Sequence, residues 1–196
     1  MKAFTAILSG LVAASGCTSS ANFADKITGI WDSSTCEAYP AGNGTTNHVT
    51  RDFVILGTSH EWMLRATVFA DSACAEPFVD EDVGGATFDV IGPSPVVSGA
   101  QEVDYTFAYR KLTPLSDAAA SALNQTPMCG SNWETGVEQD LSSTGCAGFG
   151  VDTVTSCPTE HDLNKLEGTS LYFGDRSGDL CTTRPTMLVT YPVVEQ

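Results

Sequence analysis

Six cysteines spread between positions 36 and 181 constrain the fold of this 196-residue chain more than any other feature. An even number of cysteines in an exported chain indicates disulfide bonds, because an oxidising compartment pairs thiols. The sequence has no C-x-x-C pair and its histidines lack zinc-site spacing, so no metal site is predicted. Two of the six flank early strands that neighbouring hairpins would bring together, which predicts a Cys36–Cys74 disulfide and leaves the other pairings open. The six are Cys36, Cys74, Cys129, Cys146, Cys157 and Cys181.

The amino terminus indicates export. Lys2 is followed by an apolar stretch over residues 3–14 and then by small residues, which is the pattern of a secretory signal peptide over residues 1–16. The stretch is too short and too interrupted for a transmembrane helix. Residues 14–17, Ala-Ser-Gly-Cys, resemble the bacterial lipobox, which predicts a diacylglycerol anchor on Cys17; ordinary cleavage nearby is the alternative. The protein is then predicted in the cell envelope, on the periplasmic or surface face of a membrane to which the lipid attaches it.

The remaining length and the charge limit the architecture and the partners. Residues 17–27 are small and polar and are predicted to form a lipidated tether, and residues 28–196 fit one domain. The chain carries 24 acidic and 9 basic residues, a formal charge of −15. Such a charge repels phosphate backbones, so nucleic acid is excluded as a partner.

Short runs with period-two alternation predict a mainly β fold. In the clearest run, residues 103–112, aromatic side chains alternate with smaller and polar ones, so the aromatics share one face. Such runs between turn residues indicate an antiparallel barrel or strongly curved sheet, lipocalin-like in general shape. The other predicted strands cover residues 51–56, 62–69, 86–91, 170–174 and 187–191.

One short helix and one loop region complete the predicted fold. Residues 115–123 are alanine-rich, and Thr113 and Pro114 suit a helix start. Residues 130–158 are rich in Gly, Ser and Thr and contain three of the six cysteines within or beside them. They are predicted to be disulfide-stapled loops with a short strand near residues 133–139.

The aromatic face of residues 103–109 is the feature most informative about function. Its simplest interpretation is core packing. The alternative is that this face lines a cavity for an apolar ligand, as barrels of this size often allow. The predicted lining is Phe53, Trp62, Leu64, Phe88, Tyr105, Phe107 and Tyr109.

No group of residues predicts catalysis, a cofactor or a metal. Residues 160–162, Glu-His-Asp, are interpreted as a solvated turn, and the acidic residues 80–82 as a hairpin connection. The acidic residues 80–82 lack the alternating ligand spacing of a calcium loop. The sequence therefore predicts a protein that is not an enzyme. Gly29-Ile30-Trp31 matches the G-x-W that opens lipocalin-like barrels and plugs their closed end, although an ordinary core tryptophan explains so short a motif equally well.

Several motifs together resemble one family. Residues 29–37 are similar to the G-x-W-x-S-x-x-C-E opening of the adenomatosis polyposis coli down-regulated family, and residues 50–53 and 69–77 to its next two segments. With one domain and an amino-terminal anchor, the chain resembles a bacterial single-domain relative. The resemblance implies a β-barrel-like domain whose apolar cavity accepts lipid or acyl chains. Further matching segments are Cys129, residues 133–136, Asp140, Cys146 and residues 157–163, 171–174 and 184–186.

Two functions are therefore predicted as alternatives. The first is a cell-envelope lipoprotein domain that binds a lipid or acyl group in an apolar cavity. The second is an envelope module that contacts protein or glycan through its loops and has a packed core without a cavity. The first requires an interior void beside the aromatic face.

Overall fold

A computed structural model describes residues 20–40, 46–57 and 59–196. The predicted signal peptide and the predicted lipid on Cys17 lie outside these residues. Among the described residues, no helix is both long and apolar enough to cross a membrane. The helices are α1 (Ser20–Ile27), α2 (Asp117–Gln125) and a 3-10 turn (Ala147–Phe149). The strands are β1 (Gly29–Ser33), β2 (Glu37–Pro40), β3 (Thr46–Leu56), β4 (Glu61–Phe69), β5 (Pro77–Pro93), β6 (Gln101–Pro114), β7 (Gln139–Asp140), β8 (Thr159–Glu167), β9 (Ser170–Phe173) and β10 (Val193–Glu195).

Eight of the strands close into an antiparallel barrel. Their order is β1-β10-β9-β8-β6-β5-β4-β3, and β1 then pairs with β3 to complete the ring. The short strands β2 and β7 add to β3 and β6 outside this ring. The predicted mainly β, barrel-like fold is confirmed.

A helix and a tryptophan fill one end of the barrel. Trp31 is fully buried, and its indole Nε1 donates a hydrogen bond to the Ile27 carbonyl at 2.8 Å. Phe23 and Ile27 of α1 join the same core cluster. The prediction that residues up to 27 form a tether is therefore wrong from residue 20 onward. The polar composition hid three apolar residues, Phe23, Ala24 and Ile27, at helical spacing.

A register shift in the β5–β6 ladder reverses which side chains point inward. Gly84 pairs with Tyr109, but its neighbour Gly85 already pairs with Phe107, so β6 carries an extra residue at this point. Beyond this bulge Arg110 is buried, and Tyr109 lies on the outer face beside Lys111. The predicted inward position of Tyr109 is wrong, because strict alternation cannot anticipate a bulge.

We expect Gly84→Ala to destabilise the protein by roughly 1–3 kcal/mol. Gly84 has φ +131°, and a Cβ there would lie 2.4 Å from the Trp62 carbonyl oxygen, which the sheet holds in place. Gly92→Ala is the matched control, since Gly92 also has a positive φ but open space around its Cβ position. Urea denaturation would measure the free energy of unfolding of both variants. Equal losses of stability would show that the clash at Gly84 is unimportant.

The disulfides and α2 consolidate the other end of the molecule. The predicted Cys36–Cys74 disulfide is confirmed, and the other pairs are Cys129–Cys146 and Cys157–Cys181. Helix α2 is also confirmed, but it begins at Asp117 and is capped by Ser116, whose side chain accepts from the Ala119 amide. Thr113 and Pro114 instead end β6. Together α2 and the loop after it form a second core cluster around Trp133 and Leu123.

Four other local predictions are wrong. The acidic residues 80–82 lie in the middle of β5, and residues 160–162 belong to β8, which the sequence did not predict. Residues 187–191 form a single bridge to Gly174 instead of a strand, and the terminal strand is β10. The strand predicted near residues 133–139 begins only at Gln139. Charged residues in a run suggest turns, but here pairing across the barrel places them in strands.

Candidate ligand-binding cavity

A cavity of about 830 Å³ lies inside the barrel, away from the end that α1 fills. This volume is within the range of roughly 300–1,000 Å³ that is typical of small-molecule sites. The segment Ala147–Phe149 and the residues after it cover part of the cavity. Gly148 and Ser177 line it and are exposed, so the cavity reaches solvent.

Five of the seven predicted lining residues line this cavity, and four of the five are packed aromatics. Trp62 lies at their centre, with ring centroids 5.9 Å from Phe53, 5.0 Å from Tyr105 and 5.1 Å from Phe107. The Trp62 indole donates to the Thr106 carbonyl at 2.9 Å, which fixes the ring. Such edge-to-face contacts hold the aromatic surface rigid. The five are Phe53, Trp62, Leu64, Tyr105 and Phe107.

Tyr105 is the one of these aromatic residues that forms a hydrogen bond with a buried side chain. Its hydroxyl donates to Asn164 Oδ1 at 2.6 Å, and burial raises the pKa of Tyr105 well above its usual value. Tyr105 therefore stays neutral and acts as a hydrogen-bonded wall residue.

The remaining two predicted residues do not line the cavity. Phe88 is fully buried in the core, where it stacks on His60 with ring centroids 5.4 Å apart. Tyr109 lies outside because of the bulge described above. Both residues are aromatic, as the prediction required, but Phe88 packs in the core and Tyr109 points away from the interior of the barrel.

The cavity is not purely apolar, which corrects the prediction. One buried ion pair joins Arg51 to Glu37, with Nε and Oε2 3.0 Å apart, and Glu37 has no exposed surface. Glu37 also accepts hydrogen bonds from Ser33 and Tyr39, and Arg51 donates to the Tyr191 carbonyl at 3.0 Å. This pair therefore forms a fully hydrogen-bonded part of the wall.

A second charged group lies on β6, β8 and the segment after β9. Glu160 binds both Arg110, at 3.4 Å, and Arg176. Burial alone would raise the pKa of Glu160, but the two guanidinium groups outweigh it and hold that pKa below its usual value. Asp162 accepts from the amides of Leu163 and Gly174, yet its burial still raises its pKa.

Arg110 and Glu81 differ in how their charges are balanced: Arg110 is paired with Glu160, whereas Glu81 has no ion-pair partner among the described residues. The Arg110 side chain is buried and its guanidinium carbon lies 3.9 Å from the Phe107 ring centroid, and no described residue accepts a hydrogen bond from its buried Nε. No described residue lies at ion-pairing or hydrogen-bonding distance from the Glu81 carboxylate. Burial raises the pKa of Glu81, although nearby Arg110 opposes the shift.

The sequence analysis did not predict that charged residues line the cavity, although the alternation pattern around Arg51 was an available signal. Arg51 shares its period-two face with Val49, Phe53 and Ile55, which line or underlie the cavity. Extending the alternation through charged residues would have placed Arg51 inside. The same rule applied to β4 correctly groups Trp62, Leu64, Ala66 and Val68 on the cavity face.

Fold and site together define a class: a closed antiparallel β-barrel with an interior cavity that is aromatic on one part of its wall and charged on another. An amphiphilic wall of this kind accommodates a molecule with one apolar and one polar part. No family model matches the chain.

Proposed function

We propose that this protein binds an amphiphilic ligand, a lipid or another acyl-bearing molecule, inside the barrel and performs no chemistry on it. The observation that carries the proposal is the 830 Å³ cavity beside the packed aromatic face of Phe53, Trp62 and Phe107. Burial of an acyl chain of ~10 carbons would gain several kcal/mol, at about 0.8 kcal/mol per CH₂, before ordering costs. The family resemblance, which implies an acyl-accepting barrel, supports the same proposal.

We further propose that the protein works in the cell envelope, attached to a membrane through Cys17. Three disulfides are consistent with an oxidising compartment. Metabolic labelling with an azido fatty acid tests the anchor: the wild-type chain should be labelled and Cys17→Ser should not. Unchanged labelling of Cys17→Ser would contradict the anchor.

Filling the cavity should abolish ligand binding without unfolding the barrel. Ala66 lines the cavity and is small, so Ala66→Phe would place a ring in the space proposed for the acyl chain. We expect at least about 10-fold weaker binding of a decanoyl lipid, the loss that follows from displacing roughly two methylenes. Native mass spectrometry of the gently purified protein and titration calorimetry would measure it.

The matched control for this variant is Ala108→Phe, because Ala108 is exposed on the outer face of β6. It should bind as the wild type does. A wild-type protein that purifies empty and shows no shift with added lipids would contradict the proposal and favour the alternative, an interaction module whose interior is only scaffold.

A further inference from the structure

We propose that the ligand carries a positively charged head, an organic ammonium group, and that this head pairs with the carboxylate of Glu81 inside the cavity. This inference deepens the proposed function and rests on it. Glu81 lies on β5, and its half-buried side chain lines the cavity without an ion-pair partner among the described residues. A carboxylate that is partly removed from water and has no opposite charge beside it is costly, so a cation that reaches it is bound favourably.

The other charges of the wall are balanced in a way that leaves Glu81 over. Each of the three arginines that line the cavity already has a carboxylate partner. Glu81 and Asp175 also line the cavity, and neither pairs with an arginine of the described chain, so carboxylates outnumber arginines there. A cationic head reduces this excess of negative charge, whereas an anionic head increases it. The pairs are Arg51–Glu37, Arg110–Glu160, Arg176–Glu160 and Arg176–Asp162.

Glu81 is the better partner of the two remaining carboxylates. Asp175 accepts hydrogen bonds from the hydroxyl and the amide of the exposed Ser177. Burial raises the pKa of Glu81, although nearby Arg110 opposes the shift. The raised pKa means that the surroundings stabilise the ionised carboxylate too little, and an ammonium group supplies the missing stabilisation.

The strands leave space for the head and place apolar side chains next to it. Ala66 is paired with Glu81 in the β4–β5 ladder and also lines the cavity. Because its methyl group projects little into the barrel, the cavity extends to the carboxylate. The next inward pair on these strands is Leu64 and Val83, and Leu64 is paired in turn with Phe53. An acyl chain attached to the head therefore contacts the apolar part of the wall directly.

An inorganic cation does not fit this position. Metal ions such as Ca²⁺ need several oxygen ligands. Within the described part of the chain, no group of three metal-ligating side chains includes Glu81. One carboxylate beside an apolar surface instead suits an alkylammonium group. The ligand class is therefore a cationic amphiphile, such as an acyl ester of choline or a long-chain amine.

Three ligands with the same acyl chain separate these cases: decanoylcholine, monodecanoylglycerol and decanoate, each titrated calorimetrically at neutral pH and at one ionic strength. We expect decanoylcholine to bind at least ~10-fold more tightly than the glycerol ester, because one charge pair in a partly buried site contributes at least about that factor. Decanoate should bind more weakly than the ester, since it adds a negative charge to a wall that already has an excess.

Glu81→Gln removes the charge and should weaken the binding of decanoylcholine by at least ~10-fold, so that its preference over the glycerol ester disappears. Glu81→Asp keeps the charge and should retain the preference, which separates loss of charge from loss of fold. Asp89→Asn is the matched control, because Asp89 is exposed on the same strand. It removes an equal charge outside the cavity and should leave the order of the three ligands as in the wild type.

The inference is overturned if the glycerol ester or decanoate binds the wild type as tightly as decanoylcholine, in which case the proposed function still stands. It is also overturned if Glu81→Gln keeps the preference, or if Asp89→Asn loses as much of it, since the overall charge of the protein would then be the cause. If a folded wild-type protein binds none of the three ligands, the proposed function and this inference fail together.

Discussion

Reduction of the three disulfides is expected to unfold the protein at room temperature. The bonds close sequence separations of 38, 17 and 24 residues. In the chain-entropy model each contributes about 3–4 kcal/mol, so together they supply roughly 10 kcal/mol. A domain of this kind has a total stability of about 5–15 kcal/mol, which leaves little or none after reduction. Far-ultraviolet circular dichroism and tryptophan fluorescence, followed with a phosphine reductant, would report the loss of the sheet.

The control for this experiment is the same protein treated with the alkylating reagent alone, which should remain folded because the six cysteines are paired. Each single disulfide is expected to contribute a part of the stability. A Cys36→Ser/Cys74→Ser variant should lose slightly more stability than a variant that lacks the Cys129–Cys146 bond, because the loop that Cys36–Cys74 closes is longer. A reduced protein that melts within a few degrees of the oxidised one would contradict the prediction.

Glu37→Ala is expected to lower the stability by about 3–5 kcal/mol, the largest effect of any single charged residue in the barrel. Glu37 is fully buried and accepts hydrogen bonds from Ser33, Tyr39 and Arg51. Among the residues that the structure describes, its removal leaves the buried Arg51 guanidinium without a carboxylate and with the Tyr191 carbonyl as its one acceptor. For a domain of this size the melting temperature should fall by roughly 6–20 °C in calorimetry.

Glu61→Ala provides the comparison, because Glu61 is exposed and its carboxylate has Ser59 as its one partner among the described residues. It should change the stability by less than about 0.5 kcal/mol. Glu37→Gln should lie between the two variants, since the amide oxygen still accepts a hydrogen bond but the charge of Arg51 is no longer balanced. Similar melting temperatures for Glu37→Ala and Glu61→Ala would show that the Arg51–Glu37 pair does not stabilise the barrel.

Much of the candidate site could be predicted because alternation is a local property. Phe53, Trp62 and Tyr105 lie in the β3–β4 and β6–β8 ladders, which pair without a register shift. Tyr109 lies at the β5–β6 register shift, where one additional residue in β6 reverses the faces. Phe88 keeps its inward position but packs in the core cluster that contains Phe23 and Ile27 of α1. At this shift Gly84 lies close to the Trp62 backbone, a contact between strands that the local sequence does not encode.

The charged part of the wall could not be predicted for a different reason. A charged residue is assigned to the surface unless its partner is known, since burial without pairing is prohibitively costly. Glu160 is paired with Arg110, which is 50 residues away, and with Arg176, which is 16 residues away. The three residues lie on β6, on β8 and after β9, and a periodic pattern relates residues only within one element, so no sequence pattern connects them.

The sequence by itself determined the mainly β architecture, the interior faces of β3, β4 and most of β6, and the Cys36–Cys74 bond, because side-chain alternation and cysteine position act over short distances along the chain. Only the tertiary structure decided that α1 fills one end of the barrel and that arginines and carboxylates share its cavity. These features arise where distant segments meet. There the free energy of a buried helix or ion pair depends on what surrounds it, and barrel closure supplies those surroundings.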